Sequence, residues 1–478
     1  MSNTTNSPAR QRIEALLDAN SFVEIGAAVR ARSTDFNLSD KSAPSDGVIT
    51  GYGVIGGNLV YVYSQDSSVL NGTIGEMHAK KISGLYKLAM KMGAPVVGLV
   101  DCAGIRLEEA ADALNGFGEI YMAQADASGV IPQITGIFGN CGGGMALIPA
   151  LTDFTYMEEK KAKLFVNSPN AIKGNIDSTC DTAAAAFQSE EAGLVDGFGT
   201  EADVLAQIRA LVSMLPANNE DDMSDSVCTD DLNRAIPDLA ACKEDPALFL
   251  PRISDGQVYV ESKAAYGPDV VTAFIKLNGT TVGAVANRGV LYDADGKEAE
   301  KFDGAISARG AQKAADFVSF CDAFSIPVVS FTNVKSFKAT KCSEANLARA
   351  LAKMTYAFAN ATTPKINVIT GEAFGSAYLM MNSKSIGADL VYAWADAKIG
   401  MMDAKYAAKI LSKEQDAASI RAVAQEYDAL QNSVEAAAGR GYVDTVIDAQ
   451  DTRKYLIGAL DMLFTKREYR PDKKHGTV

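Results

Sequence analysis

Histidine is almost missing from this 478-residue sequence: His78 and His475 are the only two. Few routes to a histidine metal site or a Ser-His dyad remain. Seven cysteines (Cys102, Cys141, Cys180, Cys228, Cys242, Cys321, Cys342) are scattered with no C-x-x-C spacing, which argues against a zinc ribbon and for free thiols. No metal is expected. No apolar run approaches the roughly 18 to 20 residues that span a bilayer, and the polar start MSNTTNS lacks the layout of a signal peptide, so a cytoplasmic protein is expected. No G-x-G-x-x-G opens a helix with an acid further on, and no G-x-x-x-x-G-K-[ST] occurs, which weakens dinucleotide and P-loop readings. The formal charge of -14 argues against nucleic acid as a partner. An anionic ligand would have to be held by local basic groups and backbone amides.

What the chain does have is an internal repeat. Residues 131–144, IPQITGIFGNCGGG, align with 363–376, TPKINVITGEAFGS, at an offset of 232, with Pro132 on Pro364, Gly139 on Gly371 and Gly143 on Gly375. GAPVV at 93–97 falls on SIPVV at 325–329 with the same offset. In each copy a short apolar strand runs into small residues, where backbone N–H groups can approach a ligand and stabilise a developing oxyanion.

The patterning supports two similar α/β halves. A short amphipathic helix (residues 12–17) and an extended segment (22–25) precede strands at 47–55 and 59–63, joined by a Gly56-Gly57-Asn58 hairpin signal. A helix is expected from Met77 to Met92, ending at Gly93, with the strand 96–100 after Pro95. The second half repeats the order, with a hairpin at Asn278-Gly279, a helix at 308–324 and a strand at 328–331. The offset is 222 at the hairpins and 232 afterwards, which places an insertion of about ten residues near 292–303. The acidic, turn-rich stretch between the halves reads as a linker. The expected division is residues 1–217, a linker at 218–233, and residues 234–478.

Ala89-Met90-Lys91-Met92 matches the biotinylation sequence of biotin carrier domains letter for letter, but it lies within a helical pattern. Lys91 is therefore read as a surface lysine between two core-facing methionines.

Many short motifs together resemble one family. ARQRIEALLD (9–18), SFVE (21–24), DGVITGYG (46–53), SQD (64–66), GEMHAKK (75–81), SGVIPQ (128–133) and PALTDF (149–154) are similar to the carboxyltransferase (beta) subunit of biotin-dependent acyl-CoA carboxylases and decarboxylases. The second half joins through VAN (285–287), FCDAF (320–324), NSK (382–384) and GAD (387–389). The resemblance implies a duplicated crotonase-like (ClpP/crotonase) α/β fold, each half a β-β-α superhelix. It also implies transfer of a carboxyl group between biotin, on a separate carrier protein, and the α-carbon of a short-chain acyl-CoA through an enolate.

The same resemblance implies two backbone oxyanion holes. The first half, on the acyl-CoA side, would use Gly104 and Ile105 of CAGIR (102–106), resembling S-G-G-A-R, with Gly143 and Gly144 of GGG (142–144), resembling A-G-G. The second half, on the biotin side, would use Gly375, Ser376 and Ala377 of FGSAY (374–378), resembling Y-G-G-A-Y, with the amide of Phe337. Leu379 falls where the family varies its acyl pocket. Arg106 is a candidate for holding an anionic ligand or for pairing with Glu108 or Glu109. His78 is read as structural or at the surface.

The chain departs from the family at KSFKAT (335–340), where relatives carry P-G-F-L-P-G, and after residue 174, where an L-G-G-A stretch is missing. Two alternatives stay open: the carboxyltransferase subunit of a sodium-pumping decarboxylase, because the sequence leaves the direction of transfer open, and a non-catalytic scaffold, because of the altered loop at 335–340. Expected partners are a biotin carboxyl carrier protein and either a biotin carboxylase or membrane decarboxylase subunits. Relatives form hexamers, so the purified chain is expected to show several times its monomer mass by light scattering; a monomer at working concentration would contradict this.

Overall fold

Strand after strand of this chain is buried along its whole length. Val96–Cys102, for example, has every residue buried except Asp101, the signature of a parallel strand covered on both faces. The structure is a computed structural model. It describes residues 7–32, 43–173, 181–221, 227–293, 295–413 and 416–473. The chain divides into two units, Met1–Asp222 and Met223–Val478. Of the linker expected at 218–233, residues 222–226 lie outside the described residues. Asn218 and Asn219 are tied to the first unit, through Nδ2 to the Gly93 carbonyl (2.8 Å) and the backbone N–H to the Val130 carbonyl (3.0 Å).

The first unit contains β1 (Val23–Ile25), β2 (Val48–Ile55), β3 (Asn58–Gln65), β4 (Val96–Cys102), β5 (Gln133–Gly142), β6 (Phe154–Glu158), β7 (Lys163–Phe165) and β8 (Gly197–Gly199). They form one sheet in the order β1-β2-β3-β4-β5-β6-β8, with β7 on the far end of β5. β1 to β3 pair antiparallel and the remainder parallel. Helices Glu76–Met92 (α2) and Ala110–Ala127 (α3) are the crossovers on either side of β4, and α1 (Pro8–Leu16) precedes the sheet. Ile82, Leu85, Phe117 and Ile120 of the crossovers pack with Val96, Val100 and Ile137 of the sheet in one core.

The second unit repeats this plan with β9 (Tyr259–Ser262), β10 (Val270–Leu277), β11 (Thr280–Asn287), β12 (Val290–Tyr292), β13 (Glu298–Lys301), β14 (Ala305–Ile306), β15 (Val328–Val334), β16 (Ser336–Phe337), β17 (Lys365–Phe374), β18 (Leu390–Trp394), β19 (Lys398–Gly400) and β20 (Thr445–Ile447). Its sheet order, β9-β10-β11-β15-β17-β18-β20 with β19 on β17, matches the first strand for strand. The additional residues near 292–303 are a two-stranded ribbon, β12 with β13, which the first unit lacks among its described residues.

Local chemistry accounts for these elements. Gly56 and Gly57 (φ 56° and 86°) and Asn278 and Gly279 (φ 52° and 79°) make two-residue hairpin turns whose twist suits the flanking strands. α2 stops at Gly93, left-handed at φ 59°. Lys91 is an exposed helical lysine, but its neighbours are not both core residues: Met90 is half-buried and Met92 is 60% exposed, because α2 turns Met92 away from the sheet at its last turn.

The feature that places the site is a break in each parallel ladder. Val100 pairs with Ile137 and Cys102 with Cys141, so Asp101 alone faces residues 138–140 of β5. Thr332 pairs with Ile369 and Val334 with Ala373, so Asn333 alone faces residues 370–372 of β17. The extra residues form a bulge that bends the strand and re-aims the residues beyond it. Glycine is required at its centre: a Cβ on Gly139 would lie 2.0 Å from Asp101 Oδ1, and one on Gly371 2.4 Å from Asn333 Oδ1. Gly72 supports the first break from the other side, at φ 65°, where a Cβ would meet the Asp101 carbonyl at 2.3 Å. Gly72→Ala is expected to destabilise the protein by about 3 kcal/mol, from overpacking against backbone and from an L residue at positive φ. A thermal melt unchanged from the parent would refute this account of the bulge.

Candidate functional site

Beyond the first bulge, the chain from Cys102 and the chain from Cys141 emerge side by side. The loop 103–106 is pinned by backbone bonds: Ala103 N–H donates to the Asn71 carbonyl (3.1 Å), Ile74 N–H to the Gly104 carbonyl (2.9 Å) and Arg106 N–H to the Ile74 carbonyl (3.0 Å). Ile74 and Ile105 thus form a parallel bridge. Because Ile74 takes the groups on either side of Ile105, the N–H of Ile105 faces away from it. Gly104, at φ 115°, turns its N–H toward Cys102 Sγ at 3.3 Å, a weak acceptor. Opposite, Gly143 at φ 63° opens the short helical turn Gly143–Ala146, whose first N–H groups have no partner within the turn. The Gly144 carbonyl is held by the Tyr121 hydroxyl at 2.7 Å.

The second unit repeats this geometry 232 residues later. Ile306 pairs with Phe337, and Lys338 N–H donates to the Ile306 carbonyl at 2.9 Å, so the Phe337 N–H faces away from β14. Beside β16 lies the helix Gly375–Met380, begun by Gly375 at φ 59° with no side chain capping it, which leaves the amides of Gly375, Ser376 and Ala377 as its first donors. Leu379 on this helix is 42% exposed, and burial pushes the Tyr378 hydroxyl up to about 12. In the departing segment KSFKAT, the Lys335 N–H donates to the Gly304 carbonyl at 2.8 Å, and the Lys335 ammonium meets Glu372 at 2.6 Å.

Arg106 is not available to an anionic ligand. Its side chain is 1% exposed, with Nη1 on Asp46 Oδ1 (2.5 Å) and Glu109 Oε1 (2.8 Å) and Nη2 on the Thr73 carbonyl (2.7 Å). Of the two roles open to it from the sequence, pairing with Glu109 is the one found. A buried guanidinium between two carboxylates is strongly destabilising to break, about 3–5 kcal/mol per lost partner, because the remaining charges cannot reach water. Burial pushes the Asp46 carboxyl up, opposed by the adjacent guanidinium.

The thiols and the imidazole near the first turn are not reactive groups. Burial pushes the Cys102 thiol up to about 12 and Cys141 well above its ordinary value, so neither is a thiolate near neutral pH. His78 is fully buried in α2, with Nδ1 on the Asp46 carbonyl (2.9 Å) and Nε2 on Gln65 Nε2 (3.2 Å), and desolvation holds its pKa well below the ordinary value. Among the described residues no group of acids, histidines and cysteines could hold a metal, the six cysteines are free, and no helix is long and apolar enough to cross a membrane.

Sequence reading missed Asp101 and Asn333, the single residues opposite each bulge, and Gln65 and Asn287, whose side-chain oxygens accept their backbone N–H groups (3.3 and 3.2 Å). The one available signal was that the glycines aligned at 139 and 371 stand in mid-strand, where glycine marks a bulge or a close approach.

The chain is similar to known proteins over almost its whole length. The carboxyl transferase domain model matches residues 4–478. The chain is 39% identical to methylmalonyl-CoA decarboxylase subunit alpha of Veillonella parvula, covering 98% of this chain and 92% of that protein. It is 36% identical to the propionyl-CoA carboxylase beta chain of Roseobacter denitrificans, covering 98% and 93%. A crystal structure of transcarboxylase 12S, described as a hexamer with methylmalonyl-coenzyme A and methylmalonic acid bound, superimposes with a TM-score of 0.90 at 36% identity, covering 98% of this chain and 92% of that one. The duplicated crotonase-like fold expected from the sequence is the one observed, and the chain belongs to the carboxyl transferase domain family.

Proposed function

We propose that this protein is the carboxyltransferase subunit of a biotin-dependent acyl-CoA carboxylase or decarboxylase, moving a carboxyl group between biotin on a separate carrier and the α-carbon of a short-chain acyl-CoA. The observation that carries this reading is the pair of matching turns, each with an outward-facing strand N–H (Ile105 or Phe337) and, on the neighbouring strand's continuation, the first N–H groups of a glycine-led helical turn.

Breaking the bond between the α-carbon and its carboxylate leaves the electron pair on the thioester as an enolate, with negative charge on oxygen. In this assignment the amides of Ile105, Gly143 and Gly144 hold that oxygen. Gly104 contributes shape more than a donor, since its N–H is turned to sulfur. Preorganised donors of this kind are each worth about 2.7–4 kcal/mol of barrier. The amides of Phe337, Gly375, Ser376 and Ala377 would face the ureido oxygen of biotin, whose ureido nitrogen would supply or accept the carboxyl. His78 is buried and already bonded at both ring nitrogens, and in this reading the proton exchanged is carried by the reactants themselves. Carboxylation and decarboxylation use the same donors in opposite order.

A non-catalytic scaffold is the weaker reading. KSFKAT has lost the family's glycines and prolines, but its backbone still pairs with β14 and turns the Phe337 amide outward. We assign a homohexamer and a biotin carrier protein as partner.

Incubating the protein with malonyl-type CoA thioesters and free biotin should release CO2 in a thioester-dependent manner; no release with any acyl chain would overturn the assignment. Gly143→Asp places a carboxylate beside the donors at a position with open space around the Cβ. Its turnover should fall about a hundredfold or more, while the melting temperature drops only by the small strain of a left-handed aspartate. Retained turnover would remove Gly143 from the site.

A further inference from the structure

The two bulges share one brace on the backbone, and differ in what lies behind it. In the first unit the Asp101 N–H donates to Gln65 Oε1; in the second the Asn333 N–H donates to Asn287 Oδ1, and Gln65 and Asn287 are the last residues of β3 and β11. Each amide therefore has a nitrogen left to place. Gln65 directs its nitrogen to His78 Nε2, whereas Asn287 Nδ2 is buried with no partner. The cause lies in the crossover helices: at the 232-residue offset His78 corresponds to Gly310, which has no side chain.

Only one protonation state closes the first chain. Nδ1 of His78 faces the Asp46 carbonyl, which can only accept, so Nδ1 carries the hydrogen and Nε2 is the acceptor. That fixes the Gln65 amide with nitrogen toward His78 and oxygen toward Asp101. Turned the other way, the amide would present its N–H groups to the Asp101 N–H. Asp101 is held at its carboxylate too, by Ser67 Oγ (2.9 Å) and Arg12 Nη1 (3.3 Å).

We infer that His78 is a positioning residue: through the Gln65 amide it locks the backbone of Asp101 at the bulge, and so sets the direction of the Ile105 N–H four residues on. Its role in turnover rests on the proposed function, in which that N–H holds the acyl thioester oxygen; the positioning itself does not.

The test compares His78→Leu, which removes the acceptor; His78→Gln, whose side-chain oxygen restores one near Nε2; Gln65→Met, which removes the amide; and the Leu/Met double variant. Amide hydrogen exchange read by mass spectrometry should accelerate about tenfold in residues 99–106 of His78→Leu and Gln65→Met, and remain unchanged in residues 330–338. The kcat for malonyl-type thioester decarboxylation should fall about tenfold or more with KM within about twofold, since a small misplacement of a catalytic group costs on that order. His78→Gln should recover most of both, and the double variant should be no worse than either single one. Unchanged exchange in 99–106, equal acceleration in 330–338, or a His78→Gln no better than His78→Leu would overturn the inference. If His78→Leu does not fold, Gln65→Met carries the test. Should the parent protein itself show no decarboxylation, the exchange result still decides the positioning role, and only the functional reading fails.

Discussion

A backbone N–H can serve a ligand only if it is released from its own ladder and still held in place. In this protein both conditions are met at one kind of spot, the bulge where Asp101 faces residues 138–140 and Asn333 faces residues 370–372. The bulge ends regular pairing between two central strands and turns both chains outward together. One chain is then recaptured by a short parallel bridge, Ile74 with Ile105 or Ile306 with Phe337, and the other winds into a helical turn led by a left-handed glycine. The glycines at 139 and 371 make room for the side chain opposite, so the close packing of the bulge and the release of the amides are one event.

The two copies are braced with different chemistry. Around the first turn lie a buried guanidinium between two carboxylates, a neutral histidine and a carboxylate held by Arg12 and Ser67. Such groups are costly to disturb because a lost partner leaves a buried charge unpaired. Around the second turn the bracing includes backbone pairing to β14, the Asn333 amide set between the Glu372 N–H and Glu244 Oε1, and a Lys335–Glu372 pair near the surface, worth about 1 kcal/mol or less. The absence of a side chain at Gly310 leaves the Asn287 amide nitrogen without a partner.

Much of this plan was legible in the chain. The 232-residue repeat predicted two units of like topology, and the Gly-Gly and Asn-Gly pairs predicted the hairpins. Gly93 and the apolar spacing before it predicted where α2 ends, and the shift of the offset from 222 to 232 located the ribbon of β12 and β13. These features are local or periodic, written within a few residues or repeated at a constant distance. The roles that went unread depend on contacts across distance. Pairing of Arg106 with Glu109 was open to sequence reading, but its second partner, Asp46, lies 60 positions earlier and is not visibly near it. The turn of the Gly104 N–H toward the Cys102 sulfur is a matter of backbone angle, and Met92 looked apolar and inward because the helix period does not say where the sheet stops.

The sequence by itself determined the duplication, the strand and helix order and the family, since these derive from hydrophobic period, turn chemistry and motif order along one chain. Tertiary structure alone decided which amides are free and what holds them there. Whether an N–H is paired depends on the register between strands, and whether a charged or polar side chain serves a ligand or the scaffold depends on which partners reach it before water does.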